Sequence, residues 1–137
     1  MRLIRTIPIL AIFVFALSGS ANAQCKAFAK KECLPELQNY THDGNYHAAV
    51  LSEGEEAELY KTFYSDMEYR VAIVGENSLP AVEFKVMDFN KNVLYSNKDH
   101  NNATTWDFKL QSSQQLKIVV KVSSFNKPGD TPASGCV

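Results

Sequence analysis

WDFKLQSSQQLKIVVKV, residues 106–122, decides the fold. Successive side chains of a strand point to opposite faces, so Trp106, Phe108 and Leu110 share one side while Asp107 and Lys109 take the other. Gln111-Ser112-Ser113 supplies a turn. Leu116, Ile118, Val120 and Val122 then repeat the alternation against Lys117 and Lys121, with Val119 as the exception. No helix would gather these residues on one face, so the stretch reads as two half-buried antiparallel strands.

Val82, Phe84 and Val86 likewise alternate with Glu83 and Lys85. Tyr69, Val71 and Ile73 do the same, and Ala72 and Val74 behind them suggest a more central strand. In residues 57–65, Leu59 and Phe63 face one way and Tyr60, Thr62 and Tyr64 the other. Residues 47–51 and 93–96 are shorter candidates. With turns every 8 to 12 residues or so, these short strands, about seven, predict an all-β chain, an antiparallel β-sandwich.

Residues 1–23 have the form of a secretory signal peptide. Arg2 and Arg5 give a basic start, Ile7 to Leu17 an apolar run broken by Pro8, and Ala21-Asn22-Ala23 the small residues a peptidase accepts. The run is shorter than the roughly 20 residues a membrane-spanning helix needs, so no span is expected after cleavage following Ala23. Lipidation of Cys25 is disfavoured by the bulk of Gln24. The expected location is periplasmic or secreted.

Cleavage leaves 114 of the 137 residues, and because two of the 14 basic residues leave while all 15 acidic ones stay, the formal charge moves from −1 to −3. That length suits one domain. Mild acidity argues against nucleic acid, which selects clustered Lys and Arg. The expected division is a Cys-bearing helix and loop at 24–46, the sandwich at 47–122, and an irregular tail at 123–137 rich in Pro, Gly and Ser.

Three cysteines lie in the exported part, and an oxidising compartment favours a disulfide. Residues 24–34 place Cys25, Phe28, Ala29 and Cys33 on one helical stripe, away from Lys26, Lys30 and Lys31, before Pro35 ends or redirects the helix. Eight helical residues span about 12 Å, and bridged Cα atoms are rarely more than about 7 Å apart. Cys25 and Cys33 therefore do not pair with each other. Cys136 is expected to bridge to Cys33, the nearer to the strands, with Cys25 as the alternative.

The runs AVLSEGEEAELYKTFYSDMEYRVAIVG, VEFKVMDFNKNVLYSN, WDFKL and QLKIVVKV resemble, in pattern over residues 48–122, the jelly-roll β-sandwich of bacterial pre-peptidase C-terminal domains. The chain is also similar to small uncharacterised exported bacterial proteins with a Cys-bearing N-terminal segment. The resemblance implies a non-catalytic accessory sandwich and carries over no functional residue, because the matching positions are core and turn positions. In those small proteins Gly-Cys-Val opens a further apolar strand. Here Val137 is the last residue, so a naturally short end and a truncated one are both expected readings, the second leaving an unpaired edge.

Signature motifs of hydrolases, metalloproteases, nucleotide-binding loops and redox pairs do not occur. His42, His47 and His100 are loop histidines, and a zinc site built on His42 and His47 would need ligands from elsewhere. Calcium has weak candidates in Glu53 and Glu55, within a run that includes Glu56 and Glu58, and in Asp88, which opens Asp88-Phe89-Asn90-Lys91-Asn92. Turn chemistry explains both groups, and no cofactor is expected. Asn39 and Asn102 open glycosylation sequons, relevant only where the source glycosylates asparagine.

Tyr40, Tyr46, Tyr60 and Tyr64 form the candidate contact surface, able to stack on sugar or anchor a protein. Cross-strand packing is their alternative role. The sequence thus points to an exported binding or structural module, not an enzyme, with an unknown protein or polysaccharide partner. Its rivals are a small hydrolase using loop carboxylates or histidine, and an inhibitor presenting residues 97–102.

Overall fold

A computed structural model describes residues 20–124, 129 and 131–137. Of the expected signal peptide, residues 1–19 lie outside the described residues.

The chain enters as helix α1 (Ser20–Phe28), widens into a π turn (Ala29–Cys33) and tightens into a 3₁₀ turn (Leu34–Leu37). Pro35 falls in the first turn of the last piece, where a missing amide donor costs nothing. Pro35 therefore redirects the helix, which ends two residues later. Its stripe is as expected: Cys25 is buried, Phe28, Ala29 and Cys33 are half-buried, and Lys26, Lys30 and Lys31 are exposed.

Among the described residues eight strands follow: β1 (Val50–Ser52), β2 (Glu56–Phe63), β3 (Glu68–Ala72), β4 (Val82–Met87), β5 (Val93–Ser96), β6 (Thr105–Lys109), β7 (Gln114–Val122) and β8 (Ser134–Cys136). They form three antiparallel sheets, ordered β2-β7-β4-β5, β3-β6 and β1-β8. The seven expected strands are present. The eighth corrects the reading of residues 123–137 as wholly irregular. Ser134–Cys136 pairs with β1, and Ala49 and Val137 extend the ladder by exchanging hydrogen bonds of 3.0 and 2.9 Å. A distant partner supplies the pairing here, overriding a turn-rich composition.

β7 lies at the centre of the largest sheet. Leu116, Ile118 and Val122 are buried along one face. Val119 is buried on the other, directly between Glu58 and Lys85 of the neighbouring strands, whose aliphatic stems are long enough to cover it. Phe63, Phe84, Val86, Leu116 and Ile118 make one core with Tyr69, Val71, Trp106 and Phe108 of β3-β6. Fully burying side chains such as Phe84 or Leu116 contributes roughly 1.5–3 kcal/mol each.

A column of rings joins the layers. His100, Tyr95, Trp106, Phe108 and Tyr69 stack in that order, with centroid separations of 4.8, 5.0, 4.4 and 5.5 Å. Phe63 meets Tyr69 and Phe108 edge-on at 4.9 and 5.0 Å. Both arrangements suit the ring quadrupole.

A second apolar cluster of Leu51, Leu79 and Val122 lies beneath β1-β8. The turn before β4 passes close to it, and a Cβ added at Gly75 would meet Val82 Cγ2 at 2.5 Å. Val82 is too short to swing away. Gly75→Ala should therefore destabilise the fold by about 1–3 kcal/mol, the usual range for overpacking, seen as a lower midpoint in urea unfolding.

The disulfide joins Cys25 to Cys136, with Cα atoms 5.1 Å apart. This corrects the favoured Cys33–Cys136 pairing and selects its alternative. α1 presents Cys25 to β8, while the turn of helix carrying Cys33 reaches the edge of β3, where the thiol donates to the Ala72 carbonyl at 3.4 Å. The two cysteines thus serve different sheets. That β3 edge is also held by Arg70, whose Nη1 donates to the Glu36 carbonyl at 3.1 Å. The same guanidinium forks onto Asp107 at 2.6 and 2.8 Å and keeps that carboxyl below the usual carboxylate range.

Candidate functional site

Between the inner face of β2-β7, the edge of β3 and the N-terminal helical segment lies a cleft of about 1100 Å³. The β-period explains its walls: Ala57 and Leu59 of β2 and Ile118 and Val120 of β7 point inward, and Val71, Ile73, Leu34 and Leu37 close the other side. Apart from Ile118 these residues are only half-buried. Their apolar surface faces space that no side chain among the described residues fills.

Lys61 interrupts this wall. It occupies the inward position between Leu59 and Phe63, and its ammonium pairs with Asp43 from the loop ahead of β1. Asp43 also accepts the Asn45 amide at 2.8 Å, an Asx turn that fixes the carboxylate. His42 Nε2 lies 3.0 Å from the Asn45 carbonyl and 3.7 Å from Asp43 Oδ1, and its ring packs on Tyr46 at 4.5 Å. Burial works to raise the Asp43 pKa. Hydrogen bonds from Lys61 and the Asn45 amide, with the charge of Lys61 and the His42 ring, outweigh it and hold the carboxyl below its ordinary value.

A folded-state pKa below the unfolded one stabilises the fold above the unfolded value, near 4, and that gain is lost as pH falls through the folded value. Asp43→Asn should therefore unfold more readily than the wild type at neutral pH, by a small margin because the pair is well exposed. The two should converge below about pH 4, as thermal melts across a pH series would show.

Cys33 also lines the cleft. Burial, and next the nearby Glu36 charge, push its thiol up, so it is protonated at neutral pH and a poor nucleophile.

The four tyrosines divide into two pairs. Tyr40 and Tyr46 line the cleft, Tyr40 with its ring 4.7 Å from the Arg70 guanidinium and Tyr46 with the Lys30 ammonium 5.6 Å from its centroid. Tyr60 stands on the opposite, outer face of β2 and Tyr64 follows one residue past its end, 57% and 59% exposed, and Lys117 reaches over Tyr60. Both are exposed, and no single platform joins all four tyrosines.

The calcium candidates are spread along the sheet. Glu53 and Glu55 sit in the β1–β2 turn, where Glu55 accepts the Ser52 amide at 3.3 Å. Asp88 lies beyond the other end of β4, closing its hairpin through the Asn92 amide at 2.9 Å and side chain at 3.0 Å. Those hydrogen bonds lower its pKa. Among the described residues no three His, Cys, Asp or Glu side chains gather as a metal set. His42 and His47 share the cleft, whereas His100 stacks on Tyr95 elsewhere.

Residues 97–102 form a 3₁₀ turn (Asn97–His100) and its left-handed exit at Asn101 and Asn102, not an extended loop. Asn97 anchors it from inside the fold, 1% exposed. Phe84 N donates to its Oδ1 at 2.8 Å, and its Nδ2 donates to the carbonyls of Val82 and Ala103 at 3.0 and 3.1 Å.

Sequence reasoning missed Lys61 and Asp43. A lysine at the inward position of an alternating strand was the available signal for the first; nothing in the sequence pairs it with Asp43. No family model, no curated protein and no solved structure matches the chain.

Proposed function

We propose that the chain is an exported, non-catalytic binding module, a jelly-roll-like β-sandwich that seats apolar side chains of a partner protein in its cleft. Export rests on the N-terminal sequence, and no helix among the described residues is long and apolar enough to cross a membrane. The strand order supports the jelly-roll reading and the likeness to pre-peptidase C-terminal domains: the chain passes between the β2-β7-β4-β5 layer and the β3-β6 layer at β2–β3, β3–β4, β5–β6 and β6–β7.

The observation that carries the binding role is the aliphatic wall of Leu59, Val71, Ile73 and Val120, left unfilled by the described residues, with one fixed ion pair beside it. Ligand sites are typically apolar concavities with a few placed polar groups. Sugar hydroxyls would lose water against such a wall without gaining partners, which favours peptide over glycan. Asp43 is already engaged by Lys61 and Asn45, and the Cys33 thiol is protonated, which disfavours hydrolysis at the cleft.

Titration with anilinonaphthalene sulfonate should give saturable binding that peptides selected from a display library displace, and Ala57→Phe, which fills the cleft, should abolish both. Undiminished binding by that variant would remove the cleft as the site. Turnover of any substrate in a hydrolase panel, lost on Asp43→Asn, would make the protein an enzyme instead.

A further inference from the structure

The two long edges of the β3-β6 ribbon are treated differently. The helical segment covers β3 through Cys33 and Glu36. Among the described residues β6 has no such cover. Ile73 N donates to Thr104 O at 2.9 Å in the β3-β6 register. Hydrogen-bonded and non-bonded pairs alternate in an antiparallel ladder, so Val71–Trp106 and Tyr69–Phe108 are the bonded pairs. The amides and carbonyls of Thr105, Asp107 and Lys109 consequently point away from β3, where no described strand or side chain meets them.

We propose that this edge pairs with the same edge of a second copy, antiparallel about a two-fold axis at Phe108. Backbone groups repeating along a strand are complemented by another strand, and the sequence of β6 says which one. With Phe108 opposite Phe108 of the second copy, Asp107 faces Lys109 of the second copy and Lys109 faces Asp107 of the second copy. Both members of each facing pair have outward backbone groups, as a hydrogen-bonded pair needs.

Charge then alternates across all four strands. Within one chain Arg70 lies opposite Asp107 and Glu68 opposite Lys109, so one row reads Arg70, Asp107, then Lys109 and Glu68 of the second copy, positive and negative in turn. On the inner face Trp106 meets Leu110 of the second copy, and Phe108 its own counterpart. All three are half-buried in the single chain, with apolar surface left to cover. A slip of two residues one way sets Asp107 against Asp107, a like-charge pair that opposes itself. The contact is isologous and closes as a dimer.

Sedimentation velocity of the purified chain over a wide concentration range tests this. The wild type should pass from monomer to dimer as concentration rises. Lys109→Asp, which opposes Asp107 of the second copy with its own sign, should raise the dissociation constant about tenfold or more. Lys109→Pro removes an amide that faces away from β3, so it should abolish the dimer while the dilute monomer still melts cooperatively. Lys109→Arg should match the wild type. A wild type that stays monomeric throughout, or a dimer indifferent to both Lys109→Asp and Lys109→Pro, would overturn the proposal.

Discussion

Replacing Cys25 and Cys136 together by serine, or reducing their bridge, should lower stability by as much as 4 to 5 kcal/mol, about the chain-entropy figure for a loop of this length. The bridge closes 111 residues, nearly the whole described chain. Engineered cross-links often deliver less, but this one also docks α1 onto the β1-β8 pair. Leu51, Leu79 and Val122 pack beneath that pair. Urea unfolding with and without reductant measures the loss. Native-state hydrogen exchange should show α1, β1 and β8 opening first, with β2-β7-β4-β5 still protected. Cys33→Ser should shift the midpoint far less. Equal stability of oxidised and reduced protein would show that the bridge constrains nothing the fold needs.

Asn97→Ala should cost about 3 kcal/mol, the second largest loss. The amide of Asn97 satisfies three backbone groups at once, those of Phe84, Val82 and Ala103. A buried donor or acceptor left without a partner costs roughly 1–3 kcal/mol. Phe84 is 2% exposed, so water cannot readily replace the lost acceptor. Asn97→Asp should be at least as unstable at neutral pH, since it buries a charge facing two carbonyls. It should recover in part at acid pH, where a protonated carboxyl again offers a donor. Parallel urea titrations at the two pH values check both outcomes, and a variant as stable as the wild type would show that the 3₁₀ turn is held by other contacts.

Most of the sheet was legible because its signal is local. In β7, Leu116, Ile118 and Val122 go inward as the alternation requires, and Val119 breaks the pattern because flanking strands bury it on the outer face as well. β8 was not legible: three residues, one of them glycine, become a strand only because β1 lies alongside. The choice between Cys25 and Cys33 depended on which way the helix runs over the sheets. Both cysteines lie on the same stripe, and no periodicity supplies that direction.

The site was less readable than the fold for the same reason. Tyr60 and Tyr64 could be placed together by period alone, although Tyr64 lies one residue past the end of β2. Whether Tyr40 and Tyr46 would join them depended on a loop path that the sequence leaves open, and they lie on the other side of β2. Asp43 and Lys61 are 18 residues apart and meet only in the folded chain.

The ring column makes the molecule its own optical probe. Its one indole, Trp106, is sandwiched between Tyr95 of the large sheet and Phe108 of its own strand. Emission from that single fluorophore reports on the seam between the layers, and separation of the layers should red-shift it as solvent reaches the ring.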